Sequence, residues 1–276
     1  MPFRTLSRNR FIVTSLILML GTLISTAAVV RAQSSLFDAP WRGFDTGNYN
    51  SGFAPKSFAT GDLDGDGDVD VLVGNTFASF LPAGNGISVL KNQGDKSFAA
   101  PVFYVLANAE TIGEVGLSDF DADGDLDAIA TIRGDYNEMT AIRVWRNNGN
   151  GSFADSVAFT TGEGPAELVI ADFTGDGKAD VVTANYGGQS VSLLKHNGQS
   201  GAAAGFLAPQ NFTTGRRSER IAAADVNGDG KLDLAVGGWS ESTNIWSLSL
   251  MLNGGADNFA APVSYESAPG ARQPST

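Results

Sequence analysis

One nine-residue stretch occurs four times in the 276-residue chain, and its period limits the folds available. Asp62-Leu-Asp-Gly-Asp-Gly-Asp-Val-Asp70 recurs as Asp119-Phe-Asp-Ala-Asp-Gly-Asp-Leu-Asp127. It recurs again as Asp172-Phe-Thr-Gly-Asp-Gly-Lys-Ala-Asp180 and as Asp225-Val-Asn-Gly-Asp-Gly-Lys-Leu-Asp233. Successive copies start 57, 53 and 53 residues apart. A fixed period of this length marks tandem supersecondary units, each burying its apolar face against a neighbour.

The residues between the copies specify strands. Each copy runs into a short β-branched or apolar segment: Val71–Val73, Ala128–Ala130, Val181–Thr183 and Leu234–Val236. A second apolar run follows at Ile87–Leu90, Ile142–Trp145, Val191–Leu194 and Leu248–Leu252, and an Asn/Gly turn closes it. Then come Phe98, Phe153, Phe206 and Phe259, each before a last strand such as Pro101–Val105 or Val157–Thr160. Runs of this length bounded by turn residues read as buried strands, and no long window after residue 32 has helical spacing. About four short strands in some 53 residues is the size of one β-propeller blade. The expected fold is therefore all-β: a propeller of four-stranded blades, with repeat units at about 55–107, 108–163, 164–215 and 216–270. The repeated phenylalanines and Trp145 are assigned to packing between blades, since aromatics dominate such cores.

Residues 1–32 read as a separate segment. Arg4, Arg8 and Arg10 precede the uncharged, mostly apolar run Phe11–Val30, and Val30-Arg31-Ala32 offers small residues at a cleavage site. This is the pattern of a secretory signal peptide, with the propeller at 33–276. The alternative is a retained membrane anchor, because the run is near the length that spans a bilayer. At the other end, Pro269–Pro274 resembles the lead-in to a fifth loop. Residues 36–47 resemble the outer strand of a preceding unit. An incomplete or truncated ring is thus expected, with an open edge able to self-associate.

Composition excludes several functions. There is no cysteine and only one histidine, His196, so disulfides, thiolate sites and a multi-histidine zinc site are ruled out. His196 falls in a predicted turn and is read as a surface residue. The net charge is −12, and −16 once residues 1–32 are removed, which argues against nucleic acid as a partner. Sixteen of the 30 acids lie in the four loops, which points to a cation instead.

The loop chemistry suits Ca²⁺. Glycine at loop position 6 permits a sharp bend, so side chains at positions 1, 3, 5 and 9 and a backbone carbonyl at position 7 can surround one ion. Ca²⁺ takes six to eight oxygens in flexible geometry, whereas Mg²⁺ is stricter and sheds water reluctantly. An EF-hand would need Glu at position 12, which here is Val73, Ala130, Thr183 or Val236. The calcium-binding nonapeptide of β-helices does not match either.

The pattern D-x-[DN]-x-D-G-x-x-D followed by a β-branched strand resembles the FG-GAP/VCBS repeats, which form the blades of integrin-α-type propellers. The resemblance implies Ca²⁺ in a hairpin loop of each blade, up to four ions in all. The implied side-chain ligands are Asp62, Asp64, Asp66 and Asp70, and then Asp119, Asp121, Asp123 and Asp127. The third loop would use Asp172, Thr174, Asp176 and Asp180, and the fourth Asp225, Asn227, Asp229 and Asp233. Asp68, Asp125, Lys178 and Lys231 would contribute backbone carbonyls. Thr174 makes the third site the weakest and neutral Asn227 makes the fourth intermediate. Affinities of about 10⁻⁴–10⁻³ M are expected, as in extracellular calcium modules.

No catalytic constellation is present. A Ser/His/Asp set would need His196, and acids repeated four times suit a structural role better than a unique catalytic one. The chain is therefore read as a non-catalytic binding or adhesion module, secreted or at the cell surface, with an extracellular protein or glycan as partner. Membrane attachment follows only if the leader is retained. The alternative is a non-catalytic, glycan-binding propeller domain of an extracellular carbohydrate-active enzyme. Contact residues are expected in the loops Thr76–Gly86, Arg133–Thr140 and Gly238–Asn244, which carry Phe77, Phe80, Tyr136 and Trp239.

Overall fold

The computed structural model describes residues 53–77, 85–106, 110–133, 141–240, 243–255 and 258–266. Residues 1–32, and with them the expected leader, lie outside this set, as do the two terminal segments that suggested further units.

The described chain contains sixteen strands in four sheets and, apart from a single 3₁₀ turn at Gly201–Ala203, no helix. The first sheet holds β1 (Phe53–Gly61), β2 (Asp70–Phe77), β3 (Gly86–Leu90) and β4 (Val102–Val105). The second holds β5 (Thr111–Ser118), β6 (Asp127–Arg133), β7 (Ala141–Trp145) and β8 (Val157–Thr160). The third holds β9 (Pro165–Ala171), β10 (Asp180–Asn185), β11 (Ser190–Leu194) and β12 (Gln210–Thr213). The fourth holds β13 (Arg217–Ala224), β14 (Asp233–Ser240), β15 (Ile245–Met251) and β16 (Val263–Glu266). Each is an antiparallel meander in sequence order, the topology of a propeller blade, and the four sheets do not close into a ring.

The cores lie between the sheets. A two-sided sheet must cover both faces, so each strand alternates residues toward the preceding and the following blade. Leu63, Leu72, Ile87 and Val89 meet Val115, Ala128, Trp145 and Phe153 between the first two blades. Phe120, Ile129, Ile142 and Val144 meet Leu168, Val181, Leu194 and Phe206 between the second and third. Phe173, Val182, Val191 and Leu193 meet Ile221, Leu234, Met251 and Phe259 between the third and fourth. One edge-to-face aromatic pair recurs at each interface: Tyr104–Phe153 at 5.5 Å, Phe159–Phe206 at 5.2 Å and Phe212–Phe259 at 5.4 Å.

β5, β9 and β13 each pack against the first strand of the preceding blade. The first strands carry a register shift, between Pro55 and Ser57, Ile112 and Val115, and Ser218 and Arg220. In β9 the shift lies opposite Ala184 and Asn185. A bulge inserts one residue and increases local twist. Each first strand enters the aspartate loop, and the second strand leaves it, so all four loops lie at the same end of their sheets.

Candidate metal centre

The four loops share one internal scaffold. The position-1 carboxylate accepts backbone N–H groups from positions 4 and 6. Asp62 takes Gly65 at 2.8 Å and Gly67 at 3.0 Å, and Asp119 takes Ala122 at 2.7 Å and Gly124 at 3.0 Å. Asp172 takes Gly175 at 2.6 Å and Gly177 at 2.8 Å, and Asp225 takes Gly228 at 2.7 Å and Gly230 at 2.8 Å. Position 6 has φ of 90°, 98°, 81° and 83° in the four copies, a left-handed conformation that glycine adopts without penalty. The donated N–H groups hold the Asp225 carboxyl below the usual range. At Asp172 they do so against an opposing effect of burial. The position-5 acid caps the bend, accepting the position-7 N–H at 2.9–3.0 Å in all four loops.

Position 9 has a role that the ligand pattern did not disclose. Asp70, Asp127, Asp180 and Asp233 are almost wholly buried at the start of the second strand. Each accepts the position-2 N–H of its own loop with one oxygen: Leu63 at 2.9 Å, Phe120 at 3.0 Å, Phe173 at 3.1 Å and Val226 at 3.1 Å. The other oxygen accepts the N–H of a residue just past the third strand: Asn92 at 2.7 Å, Asn147 at 2.9 Å, His196 at 2.9 Å and Asn253 at 2.7 Å. The aspartate therefore staples loop to sheet. Burial raises its carboxyl pKa at Asp70 and Asp180, and to about 6 at Asp127, although the donated N–H groups pull the other way.

The partner of this aspartate also links neighbouring blades. Asn147 donates its side-chain N–H to the Leu63 carbonyl at 2.7 Å, and Asn253 donates to Phe173 at 3.0 Å. His196 makes the equivalent contact through Nε2 to the Phe120 carbonyl at 2.9 Å, while Nδ1 accepts Gly198 N–H at 3.1 Å. The surface assignment of His196 is thus corrected: the ring is buried because it replaces an asparagine in an interblade clamp. His196→Asn is expected to change stability by less than about 1 kcal/mol. His196→Ala, which strands a carbonyl, is expected to cost about 2 kcal/mol in urea denaturation.

The structure brings positions 1, 3 and 9 together in the first two loops. Ligand oxygens of Asp62, Asp64 and Asp70 lie within 4.8 Å of one another, as do those of Asp119, Asp121 and Asp127. Asp66 and Asp123 at position 5 are outside these triads. Among the described residues, the third and fourth loops form no such acidic triad, because position 3 is Thr174 or Asn227. In the fourth loop Lys231 lies 3.2 Å from Asp229, a tethered cation beside the acid.

The position-3 aspartates fit a metal most directly. Asp64 Oδ2 is 3.4 Å from Lys91 Nζ, and Asp121 Oδ2 is 3.5 Å from Arg146 Nε. These bases also reach the next blade, at the carbonyls of Asn150 and Ala204. The other oxygens, Asp64 Oδ1 and Asp121 Oδ1, are buried and have no hydrogen-bond partner. A buried carboxylate oxygen without a donor is costly unless a cation meets it. At Asp121, burial and then the neighbouring Asp123 raise the carboxyl pKa.

Repeated four-stranded blades with an acidic hairpin loop between their first and second strands define an open β-propeller repeat protein. Matches to the FG-GAP-like repeat cover residues 62–130, 119–183 and 172–236, and the chain belongs to that family. No curated protein matches the chain. Among solved structures, it is similar to a lectin from Agrocybe aegerita, described for its specific recognition of non-reducing terminal N-acetylglucosamine. That likeness has 17% identity and a TM-score of 0.41, over 78% of this chain and 66% of the lectin chain.

Among the expected contact residues, Phe80 and Tyr136 lie outside the described set, as does the side chain of Phe77. Trp239 belongs to β14 rather than to a loop, and its Nε1 donates to Asn244 at 3.2 Å. It ends a row at the edge of the sheets opposite the aspartate loops. The Arg217 guanidinium lies 5.9 Å from the Trp239 ring and 4.8 Å from that of Tyr186, and Arg133 lies 5.8 Å from Tyr186.

Proposed function

We propose that the protein is a non-catalytic binding module of the secreted or cell-surface kind, with its first two blade loops set by Ca²⁺. The observation that carries this reading is the pair of buried, unpartnered oxygens on Asp64 and Asp121, each within a carboxylate triad. Asp62, Asp64 and Asp70 would hold one ion, and Asp119, Asp121 and Asp127 the other. The ion would supply positive charge that offsets carboxylate repulsion and rigidifies a loop already folded by its own N–H bonds. Loops three and four would be weaker sites, since threonine and asparagine replace the position-3 carboxylate. Family membership supports an extracellular setting, and among the described residues no helix is long and apolar enough to cross a membrane.

The test is thermal unfolding with millimolar Ca²⁺ and then with excess chelator, combined with calorimetric titration. Two sites at ten times their dissociation constants would add about 3 kcal/mol. For a domain of this size that is a rise of roughly 5–10 °C. Asp64→Asn and Asp121→Asn are each expected to remove about half of it. Absence of both a shift and bound calcium by elemental analysis would overturn the reading.

A glycan partner is favoured by the row of Arg133, Tyr186, Arg217 and Trp239, where cations and aromatic faces hold one another in place. Such surfaces stack on sugar rings and pair with acidic groups. On a glycan array, binding should favour acidic saccharides and fall at least about tenfold for Trp239→Ala. Binding unchanged by that substitution would place the contact elsewhere.

A further inference from the structure

The first two aspartate loops each have a cation of the chain's own beside them. Lys91 is the first residue past β3 and Arg146 the first past β7. Each stands one place before the asparagine, Asn92 or Asn147, whose N–H the position-9 aspartate accepts. Lys91 Nζ lies 3.4 Å from Asp64 Oδ2, and Arg146 Nε lies 3.5 Å from Asp121 Oδ2. Five acids crowd each of these loops, so the base is a counter-charge built into the fold. In the fourth repeat position 3 is the neutral Asn227, and Leu252 takes the place of the base. The third repeat has Lys195 at that place and Thr174 at position 3.

Both bases are also anchored to the following blade. Lys91 donates to the Asn150 carbonyl, and Arg146 donates through Nη2 to the Ala204 carbonyl at 2.6 Å. Gly151 leaves the lysine room, since a Cβ there would lie 2.7 Å from Lys91 Cε. The Arg146 stem lines an apolar pocket with Val144, Val157 and Phe206. The side chains of Lys91 and Arg146 are only 30% and 25% exposed, so water screens their charge in part. Each pairing engages Oδ2 of the aspartate, while Oδ1 is buried without a hydrogen-bond partner. A divalent ion at Oδ1 would share its carboxylate with a fixed positive charge, and like charges at that range repel.

We propose that Lys91 and Arg146 are resident stand-ins for the metal, which hold the first two loops folded when no ion is bound and keep their Ca²⁺ affinity weak. The inference rests on the Ca²⁺ reading of these loops given above. It follows from a thermodynamic cycle. Removing the base leaves the metal-free protein with an uncompensated buried carboxylate, whereas in the loaded protein the ion compensates it. The difference between the two losses appears as tighter binding. The contact with the Ala204 carbonyl is lost in both states and cancels. With the bases in place, calcium is taken up and released without unfolding the loop.

The test uses the full chain carrying Asp64→Asn, which leaves the second loop as the one acidic triad among the described residues. Into this parent, Arg146→Met keeps the apolar stem and removes the charge, and Arg146→Lys keeps the charge. Thermal melts in chelator and in saturating Ca²⁺ give stability, calorimetric titration of Ca²⁺ gives affinity, and circular dichroism checks the fold. Arg146→Met is expected to melt at least about 4 °C below the parent in chelator, with that deficit roughly halved in saturating Ca²⁺. It should bind Ca²⁺ at least about fivefold more tightly, while Arg146→Lys stays within about twofold of the parent. A residue that only packed would lower both melts equally and leave affinity unchanged. Unchanged or weaker binding by Arg146→Met, or Arg146→Lys behaving as Arg146→Met does, would overturn this inference and leave calcium binding itself standing. No calcium taken up by the native chain or by any variant would overturn the Ca²⁺ reading together with it.

Discussion

Phe206→Ala is expected to cost about 4 kcal/mol, a large share of the stability of a domain this size. The ring is buried at the junction of the second and third blades and meets three other rings. Phe159 lies at 5.2 Å, Phe120 at 5.4 Å and His196 at 6.4 Å, all edge-to-face. Truncation removes the apolar transfer contribution, leaves a cavity between two β-sheets that cannot collapse freely, and deletes the aromatic pairs. Because this junction lies mid-array, its loss should also weaken the coupling between the first and last blade pairs. Urea denaturation should therefore show a lower midpoint together with a broadened or split transition. Phe103→Ala, on the partly exposed side of β4, is the control and should change stability by less than about 1 kcal/mol. Equal effects for the two substitutions would contradict the assignment of the core to the spaces between blades.

The second large effect is expected at Arg143. Its guanidinium forms a fork with Glu110, Nε to Oε2 at 3.1 Å and Nη2 to Oε1 at 2.9 Å, and Nη1 donates to Ser156 at 3.2 Å. The Glu110 side chain is only 8% exposed, while that of Arg143 is 23% exposed. Breaking a buried pair by removing one partner leaves an uncompensated charge and costs roughly 3–5 kcal/mol. The partial exposure of the arginine places Arg143→Met at about 3 kcal/mol. The double variant Arg143→Met with Glu110→Gln should recover most of that loss, and the cycle measures the coupling. A single substitution as mild as a surface change would mean that Glu110 reaches water once its partner is gone.

The repeat pattern disclosed more than the local propensities did. The runs at Val71, Ala128, Val181 and Leu234 fall in β2, β6, β10 and β14, because a strand buried on both faces reads as continuous β-branched and apolar residues. The runs at Ile87, Ile142, Val191 and Leu248 fall in β3, β7, β11 and β15. The first strands were hidden. β1, β5, β9 and β13 are rich in alanine, glycine and charge, and a bulge shifts their alternation midway, so no period persists.

At the loops, the sequence marks acidic positions but not what each carboxylate accepts. Asp70 and Asp64 look alike in the motif. Asp70 has a backbone donor on each oxygen, whereas Asp64 has a bare oxygen. That difference depends on Asn92, 22 residues beyond Asp70. The one available signal was the Asn or His recurring just after every third strand, six residues before the phenylalanine in three repeats and ten before it in the third. In the third repeat that place is taken by His196, which obscured the pattern.

The interblade clamp also has a consequence for how the chain reaches its fold. The staple within a sheet joins residues 16–22 apart, from Asp180–His196 to Asp70–Asn92. The clamp between sheets joins residues 76–84 apart, from Phe120–His196 to Leu63–Asn147. Short loops close at lower entropic cost than long ones, so each sheet can organise before its neighbour arrives. The residue that tightens one sheet, Asn147 for example, is the same residue that grips the sheet made before it. During synthesis from the N-terminus, assembly should therefore advance as a ratchet, each newly finished blade locking its predecessor and presenting a fresh surface to the next.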